Sequence, residues 1–410
     1  MKILFVLLFI FNGISLLIAN DTVPQSLSNT DKIVWLNDKA RENLEINPDL
    51  SHTYATQARN LAININDVKG LSNALNYLGL SCFNQTHYSE AINYFQQAVK
   101  ILINRGDNNE AANLFQKIGM CYLQEKNYRN AIFYYQQTLK LFEQLQYEDK
   151  IAHTYYELGI IYYLIKDYNR SAELLLSSIE KYNQLGNLIE KTRSIYQLGV
   201  TYDAMNNYKN ALTCFQGVLN IHESLNNREQ IVIVLNYIGN IHIKLKQYDE
   251  ATITLNKALN LSGLEQIDLR GQIYLNLGNI AYNKRDYKEA ERLYEKSLNI
   301  ATNTNNQQLL KNTYKKFHEL YSASNNTRKA LDYFYLYNQA INNVITESEL
   351  EIKEDESNYS IEDLYITLLA ISLTVNAGLI IVIFIIVRQR NKIKETLYKH
   401  LYKKNKLLLK

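Results

Sequence analysis

Proline occurs twice, glycine 14 times, cysteine three times and tryptophan once in 410 residues. So little proline and glycine leaves no supply of the turns that a many-stranded β-fold needs at intervals of about 8–12 residues, and points to an all-α chain. Cys82, Cys121 and Cys214 fall in three separate stretches, so they form no disulfide framework and read as small buried hydrophobes. Also missing are a Gly-rich phosphate loop after a strand, HExxH, CxxC, and a serine or cysteine elbow. The seven histidines are scattered, with His153, His222 and His242 in different stretches. The expectation is a protein that is not an enzyme, with no cofactor and no metal. At 47% hydrophobic and 21% charged the chain is nonetheless composed like an ordered protein.

What is present is a repeat. A glycine recurs at Gly79, Gly119, Gly159, Gly199, Gly239 and Gly278, at intervals of 40 residues and once 39. A fixed period in that range means stacked supersecondary units rather than one closed core. The residue before the glycine is always aliphatic (Leu78, Ile118, Leu158, Leu198, Ile238, Leu277). Another apolar residue stands near one turn earlier (Leu75, Phe115, Tyr155, Ile195, Leu235, Tyr274), the spacing of a helix with a buried stripe. A glycine inside a helix costs about 1 kcal/mol against alanine, so its recurrence implies that a neighbouring helix passes too close for a side chain. Tyrosine returns after each glycine at Tyr88, Tyr128, Tyr168, Tyr208, Tyr248 and Tyr287, behind a polar residue (His87, Asn127, Asp167, Asn207, Gln247, Asp286) that reads as a tight turn into a second helix. That helix carries a small residue (Ala91, Ala131, Ser171, Ala211, Ala251, Ala290) and then a bulky one (Phe95, Tyr135, Leu175, Phe215, Leu255, Tyr294), which interlock across a helix pair. Many of the 33 tyrosines thereby occupy packing positions, with a tyrosine-rich binding stripe as the second explanation.

These residues resemble the tetratricopeptide repeat over Leu71 to Val344, within a repeat array spanning residues 67–345 of about seven units. The resemblance implies a right-handed α-solenoid of helix pairs. The period exceeds the family's usual length of about 34, and the proline that often closes its second helix is absent. Residues 31–66 lack the glycine yet behave as an opening helix pair, with Ile33, Leu36, Ala40 and Leu44 inward on the first helix and Ala55, Ala58 and Leu61 inward on the second. Pro48 stands where that second helix begins, and Trp35 is a packing residue of this atypical cap. In the last unit His318 replaces the glycine and Thr327 the turn tyrosine, while Ala330 and Phe334 keep register. This is the look of a terminal cap, and His318 is a substitution rather than a ligand.

The flanks carry addresses. Residues 1–19 form a lysine-led apolar run ending at Ala19, a secretory signal peptide, with an uncleaved anchor as the alternative. Residues 346–363 hold eight acids against Lys353, an acidic linker. Residues 364–387 then run without a charge, long enough against the roughly 20 residues that cross a bilayer to read as a transmembrane helix. Asn376 and Gly378 near its middle suit close approach of a second helix, so a homodimer through the span or tail is one expectation. The tail, 388–410, has nine bases against Glu395 alone, leaving 35 bases and 40 acids on the rest of the chain. Basic residues beside a span stay inside, which places the tail in the cytoplasm and the repeats outside, periplasmic in a bacterium. A negatively charged array outside the cytoplasm is not expected to bind nucleic acid.

In tetratricopeptide proteins the first helices line a groove that holds an extended peptide or a partner helix. Transferred by register, the resemblance assigns that lining to Asn73, Asn76 and Leu80; Asn113, Gln116 and Met120; His153, Tyr156 and Ile160; Arg193, Tyr196 and Val200; and Ile233, Asn236 and Asn240. The lining is mostly amide and tyrosine, suited to peptide backbone and polar side chains rather than a charged terminus. Two functions are expected. One is a membrane-anchored extracytoplasmic scaffold that binds a protein or peptide partner. The other is a component of transmembrane signal transduction whose kinase or DNA-binding output lies on a separate chain or has been lost. The segment order is similar to that of membrane-anchored regulators of the Bacteroidetes group.

Overall fold

A computed structural model describes residues 23–341 of the chain. The signal segment 1–19, the acidic linker 346–363, the span 364–387 and the tail 388–410 lie outside the described residues. No helix among the described residues is long and apolar enough to cross a membrane.

The described residues are a succession of α-helices with no strand. In chain order they are α1 (Asn29–Asn43), α2 (Pro48–Ile65), α3 (Val68–Asn84), α4 (Tyr88–Arg105), α5 (Asn108–Gln124), α6 (Tyr128–Leu145), α7 (Glu148–Leu164) and α8 (Tyr168–Gln184). There follow α9 (Leu188–Ala204), α10 (Tyr208–Ser224), α11 (Arg228–Lys244), α12 (Tyr248–Leu261), a single 3-10 turn (Leu264–Gln266), α13 (Ile267–Asn283), α14 (Tyr287–Asn303) and α15 (Gln307–Ala323). A last helix, α16, is described over 327–341. Odd-numbered helices are the first of each pair and carry the repeat glycine from α3 to α13.

Each pair from α3 onward is closed by the same turn. One residue stands in the left-handed region (Thr86, Lys126, Lys166, Asn206, Lys246, Arg285, Asn325), with φ between +57° and +65°. In the second full unit its N–H bonds the carbonyl of Leu123 at 3.0 Å, and the next N–H, from Asn127, reaches Tyr122 at 2.8 Å. These are the two bonds that end a helix without proline. The polar residue foreseen before each tyrosine is then the N-cap of the second helix. The side chains of Asn127, Asp167, Asn207 and Asp286 accept from the backbone N–H three residues on, whereas His87 and Gln247 make no such bond. The tyrosine itself folds back onto the first helix: Tyr88 against Phe83 at 5.4 Å, Tyr168 against Tyr163 at 5.6 Å, Tyr287 against Tyr282 at 5.9 Å. Between units the left-handed position passes to Asn66, Gly106, Gln146, Gly186, Asn226 and Asn305.

Packing follows the sequence pattern closely within a pair. The small residues at Ala91, Ala131, Ser171, Ala211, Ala251 and Ala290 and the bulky ones at Phe95, Tyr135, Leu175, Phe215, Leu255 and Tyr294 are all fully buried. The bulky side chain sits on the repeat glycine of its own unit, so the close neighbour is that ring or branch rather than backbone. The aliphatic residue before the glycine is buried throughout, but one turn earlier only Leu75 and Leu235 are. The others at that register (Phe115, Tyr155, Ile195, Tyr274) are partly buried.

The ends are caps, with one departure from expectation. Pro48 occupies the first turn of α2, and Trp35 meets Tyr54 edge-on at 5.9 Å. In the last unit Ala330 is buried as foreseen, yet Phe334 is 41% exposed where its counterparts are fully buried. At the glycine position His318 donates from Nδ1 to the Ala330 carbonyl at 2.9 Å, and its ring meets that of Phe334 with centroids 5.2 Å apart. Tyr333 takes over the packing, stacked on Phe317 at 4.5 Å. Of the cysteines, Cys82 and Cys121 are buried, but Cys214 is only partly so.

Candidate functional site

Among helices one removed in sequence, those that pack closely are first helices: α1 with α3, α7 with α9, α11 with α13, and α13 with α15. The first-helix side is therefore the tighter side of the stack, and side chains there meet across units. The register is regular. At three junctions the residue three before one glycine meets the residue two before the next.

Thus Lys117 Nζ donates to Asn76 Oδ1 at 2.7 Å, and Asn276 Nδ2 to Asn236 Oδ1 at 3.0 Å. Tyr196 meets Tyr237 edge-on at 5.4 Å, and Tyr237 stacks on Phe215 at 5.1 Å. Elsewhere on the same face Lys150 Nζ donates to Asn113 Oδ1 at 3.3 Å, and Lys244 Nζ to Asp203 at 2.6 Å. Three of the amides assigned to ligand binding, Asn76, Asn113 and Asn236, therefore have their oxygens engaged in joining helices, and Asn236 is buried. Asn73 and Arg193 are exposed, while Gln116, His153, Tyr156, Tyr196 and Asn240 are partly buried. Arg193 bonds Glu190 on its own helix at 3.1 Å, and His153 stacks on Tyr156 with centroids 6.4 Å apart.

The position two before the glycine was missing from the expected lining. It carries Tyr77, Lys117, Glu157, Gln197, Tyr237 and Asn276, a varied column inside an apolar stripe, and that variety is the signal that marks it. Its charges are perturbed. Burial lowers the Lys117 ammonium to about 8, with the Phe95 ring 5.7 Å below it. Burial also raises the Glu157 carboxyl, against the opposing pull of His153, whose Nε2 stands 3.6 Å away, and of Arg193. The fully buried hydroxyl of Tyr135 lies towards this carboxyl without closing a hydrogen bond. The face is thus more charged than its amides and tyrosines alone suggested.

Cys82 Sγ lies 3.8 Å from Glu90 Oε2 and 3.9 Å from His52 Nδ1, but burial and Glu90 push the thiol up to about 12, so it is neither nucleophile nor ready ligand at neutral pH. No group of three or more His, Cys, Asp or Glu side chains among the described residues is placed to hold a metal. A cleft of about 370 Å³ opens between α12, α13 and α14 above Leu259, Leu277 and Leu293. It lies where the period shortens and α12 stops at 14 residues.

Comparison with known proteins agrees with this geometry. The model for the soluble NSF attachment protein, SNAP, matches residues 61–182, and a tetratricopeptide-repeat model matches residues 191–262 and 269–337. No curated protein matches the sequence. Among solved structures, the apo form of RapI superposes with a TM-score of 0.63 at 15% identity, covering 80% of this chain and 90% of that one. The apo form of the quorum sensor NprR from B. thuringiensis gives 0.54 at 14% identity, over 77% of this chain and 100% of that one. Aspartyl phosphate phosphatase F from Bacillus subtilis gives 0.53 at 17% identity, over 69% and 75%. At such identities the likeness is one of fold. Residues 191–262 and 269–337 are thus tetratricopeptide repeats, within an all-α array whose fold these three proteins share.

Proposed function

We propose that this chain is a non-enzymatic scaffold that holds a polypeptide along its first-helix face. The observation that carries the reading is the row of partly buried tyrosines, amides and unbalanced charges on that face, concentrated on α5, α7 and α9. Aromatic rings supply contact area, and half-buried polar groups discriminate among partners because each must be satisfied when water leaves. The uncharged stretch 364–387 and the basic tail 388–410 support a membrane tether with the repeats outside and the tail cytoplasmic.

Because Asn76 and Asn236 join helices, alanine there would disturb the stack itself. The informative positions are Gln116, Tyr156 and Asn240. A photo-crosslinking residue placed at each, with Phe133 on the second-helix side as control, is expected to give adducts with one partner only from the first-helix sites. Adducts from Phe133 alone would move the binding surface. Phe133 is 53% exposed and so equally available to a chance encounter.

The order of segments favours a second reading, a receptor component of transmembrane signalling whose output lies on a separate chain. The fold likeness to a quorum sensor is compatible with it and does not carry it. Co-isolation of a kinase or a DNA-binding protein with the tail, lost when 388–410 are removed, would select this reading over the simple scaffold.

A further inference from the structure

Lys117 and Glu157 occupy the same register on α5 and α7, two residues before Gly119 and Gly159. Among the described residues Lys117 donates to one neutral acceptor, Asn76 Oδ1 at 2.7 Å, and no carboxylate balances its charge. Glu157 shares its surroundings with Glu190, so two carboxyls face one guanidinium, that of Arg193, which bonds Glu190. Glu157 also pairs with His153, whose Nε2 stands 3.6 Å away, and has the Tyr135, Tyr156 and Tyr182 side chains around it. Taking a charge out of water without a full counter-charge costs stability, and an apolar or aromatic residue would avoid that cost. At this register other units do carry aromatics, Tyr77 and Tyr237. A cation and a carboxyl held in this way are suited to meeting their counter-charges on something that binds.

We propose that Lys117 and Glu157 together read a pair of opposite charges on an extended polypeptide, an acidic side chain seated against Lys117 and a cationic side chain seated against Glu157. This rests on the first-helix face being the binding surface. α5 and α7 are not among the first helices that pack closely, so they stand farther apart than the roughly 8–10 Å of packed helices; an extended chain advances about 3.3 Å per residue, and the two ligand charges therefore belong at least about three residues apart. Tyr156, partly buried next to Glu157 and stacked on His153, adds an aromatic surface for the polypeptide to lie on.

The test uses the full chain in detergent and fluorescence anisotropy with end-blocked peptides. Each peptide carries one Glu and one Lys in a Ser/Tyr background, at every separation from adjacent to six apart and in both orders. Binding is expected to peak at one separation of three or more and to weaken about tenfold or more when either charged residue of the peptide is removed. Lys117→Gln should abolish the advantage of the peptide's Glu and keep that of its Lys. Glu157→Gln should do the reverse, with helical content unchanged in both. The swap Lys117→Glu with Glu157→Lys should prefer the opposite order. Affinity indifferent to charge and spacing overturns the proposal and leaves the binding face standing, as does binding that requires a free C-terminal carboxylate in place of Glu. Absence of any binder overturns the proposal too, and the binding face falls with it only if crosslinking at the first-helix sites also fails.

Discussion

The ring of Phe95 lies across Gly79 so closely that a β-carbon there would stand 2.5 Å from Cε1. Phe95 is fully buried and has no room to withdraw. Gly79→Ala should therefore destabilise the array by about 1–3 kcal/mol, overpacking outweighing the better helix propensity of alanine. Gly217, inside α10, meets nothing within 4 Å of an added β-carbon. Gly217→Ala should stabilise by about 0.5–1 kcal/mol. Urea midpoints of the two variants are expected on opposite sides of the parent, and two shifts of the same sign would contradict the packing described.

Lys117 makes a prediction about pH. Its ammonium titrates at about 8 in the fold against 10.5 ordinarily, so the folded chain holds that proton more weakly than the unfolded chain. The group lowers stability in full below about pH 8, and the penalty fades as pH rises towards 10.5. Lys117→Met should be more stable than the parent by about 1–3 kcal/mol at neutral pH, with the difference shrinking as pH is raised. Denaturation at neutral and at alkaline pH measures both. A variant no more stable at neutral pH would mean that water reaches the amine.

Buried hydroxyl pairs join consecutive units. Ser297 on α14 and Thr313 on α15 stand 3.1 Å apart with no exposure to solvent. Ser297→Ala should cost about 0.5–1.5 kcal/mol, the net worth of one hydrogen bond, and the double variant with Thr313→Val should cost less than the sum of the singles. Additive effects in a double-mutant cycle would show that the pair contributes nothing jointly. Thr313 also bonds the Leu309 carbonyl at 2.8 Å, which bounds the effect.

The α12–α13 junction is the least closely packed in the stack. Thr252 lines its cleft at the register where Ile92, Ile132 and Leu212 stand in other units. Amide hydrogen exchange should show residues from 267 onward opening as a unit at lower free energy than the helices before the junction. Thr252→Ile should raise the stability of that unit by about 0.5–1 kcal/mol by burying another methyl group. Uniform exchange along the whole stack would place the weak point elsewhere.

How much of this was legible beforehand depends on how far apart the partners stand in the chain. Gly79 and Phe95, or Asp167 and the Arg170 N–H it caps, are separated by a fixed short interval within one unit, so periodicity and residue type sufficed to foresee a close helix pair and its turn, though not which groups touch. Phe334 keeps its register but not the burial of its counterparts, since an interval along the chain does not show that Tyr333 packs on Phe317 in its stead. The groove lining was foreseen as a face but not as a set of free groups: Asn76, Asn113 and Asn236 proved to be engaged by Lys117, Lys150 and Asn276.

The order of residues by itself determined the helix pairs, their period, their turns and the glycine that each bulky side chain covers, because those are contacts between neighbours along the chain. Tertiary structure alone decided which polar groups close bonds across units and which charges stay unbalanced. Lys117 meets Asn76 across 41 residues, and whether two such groups touch depends on the offset between first helices, which packing sets and no local pattern encodes.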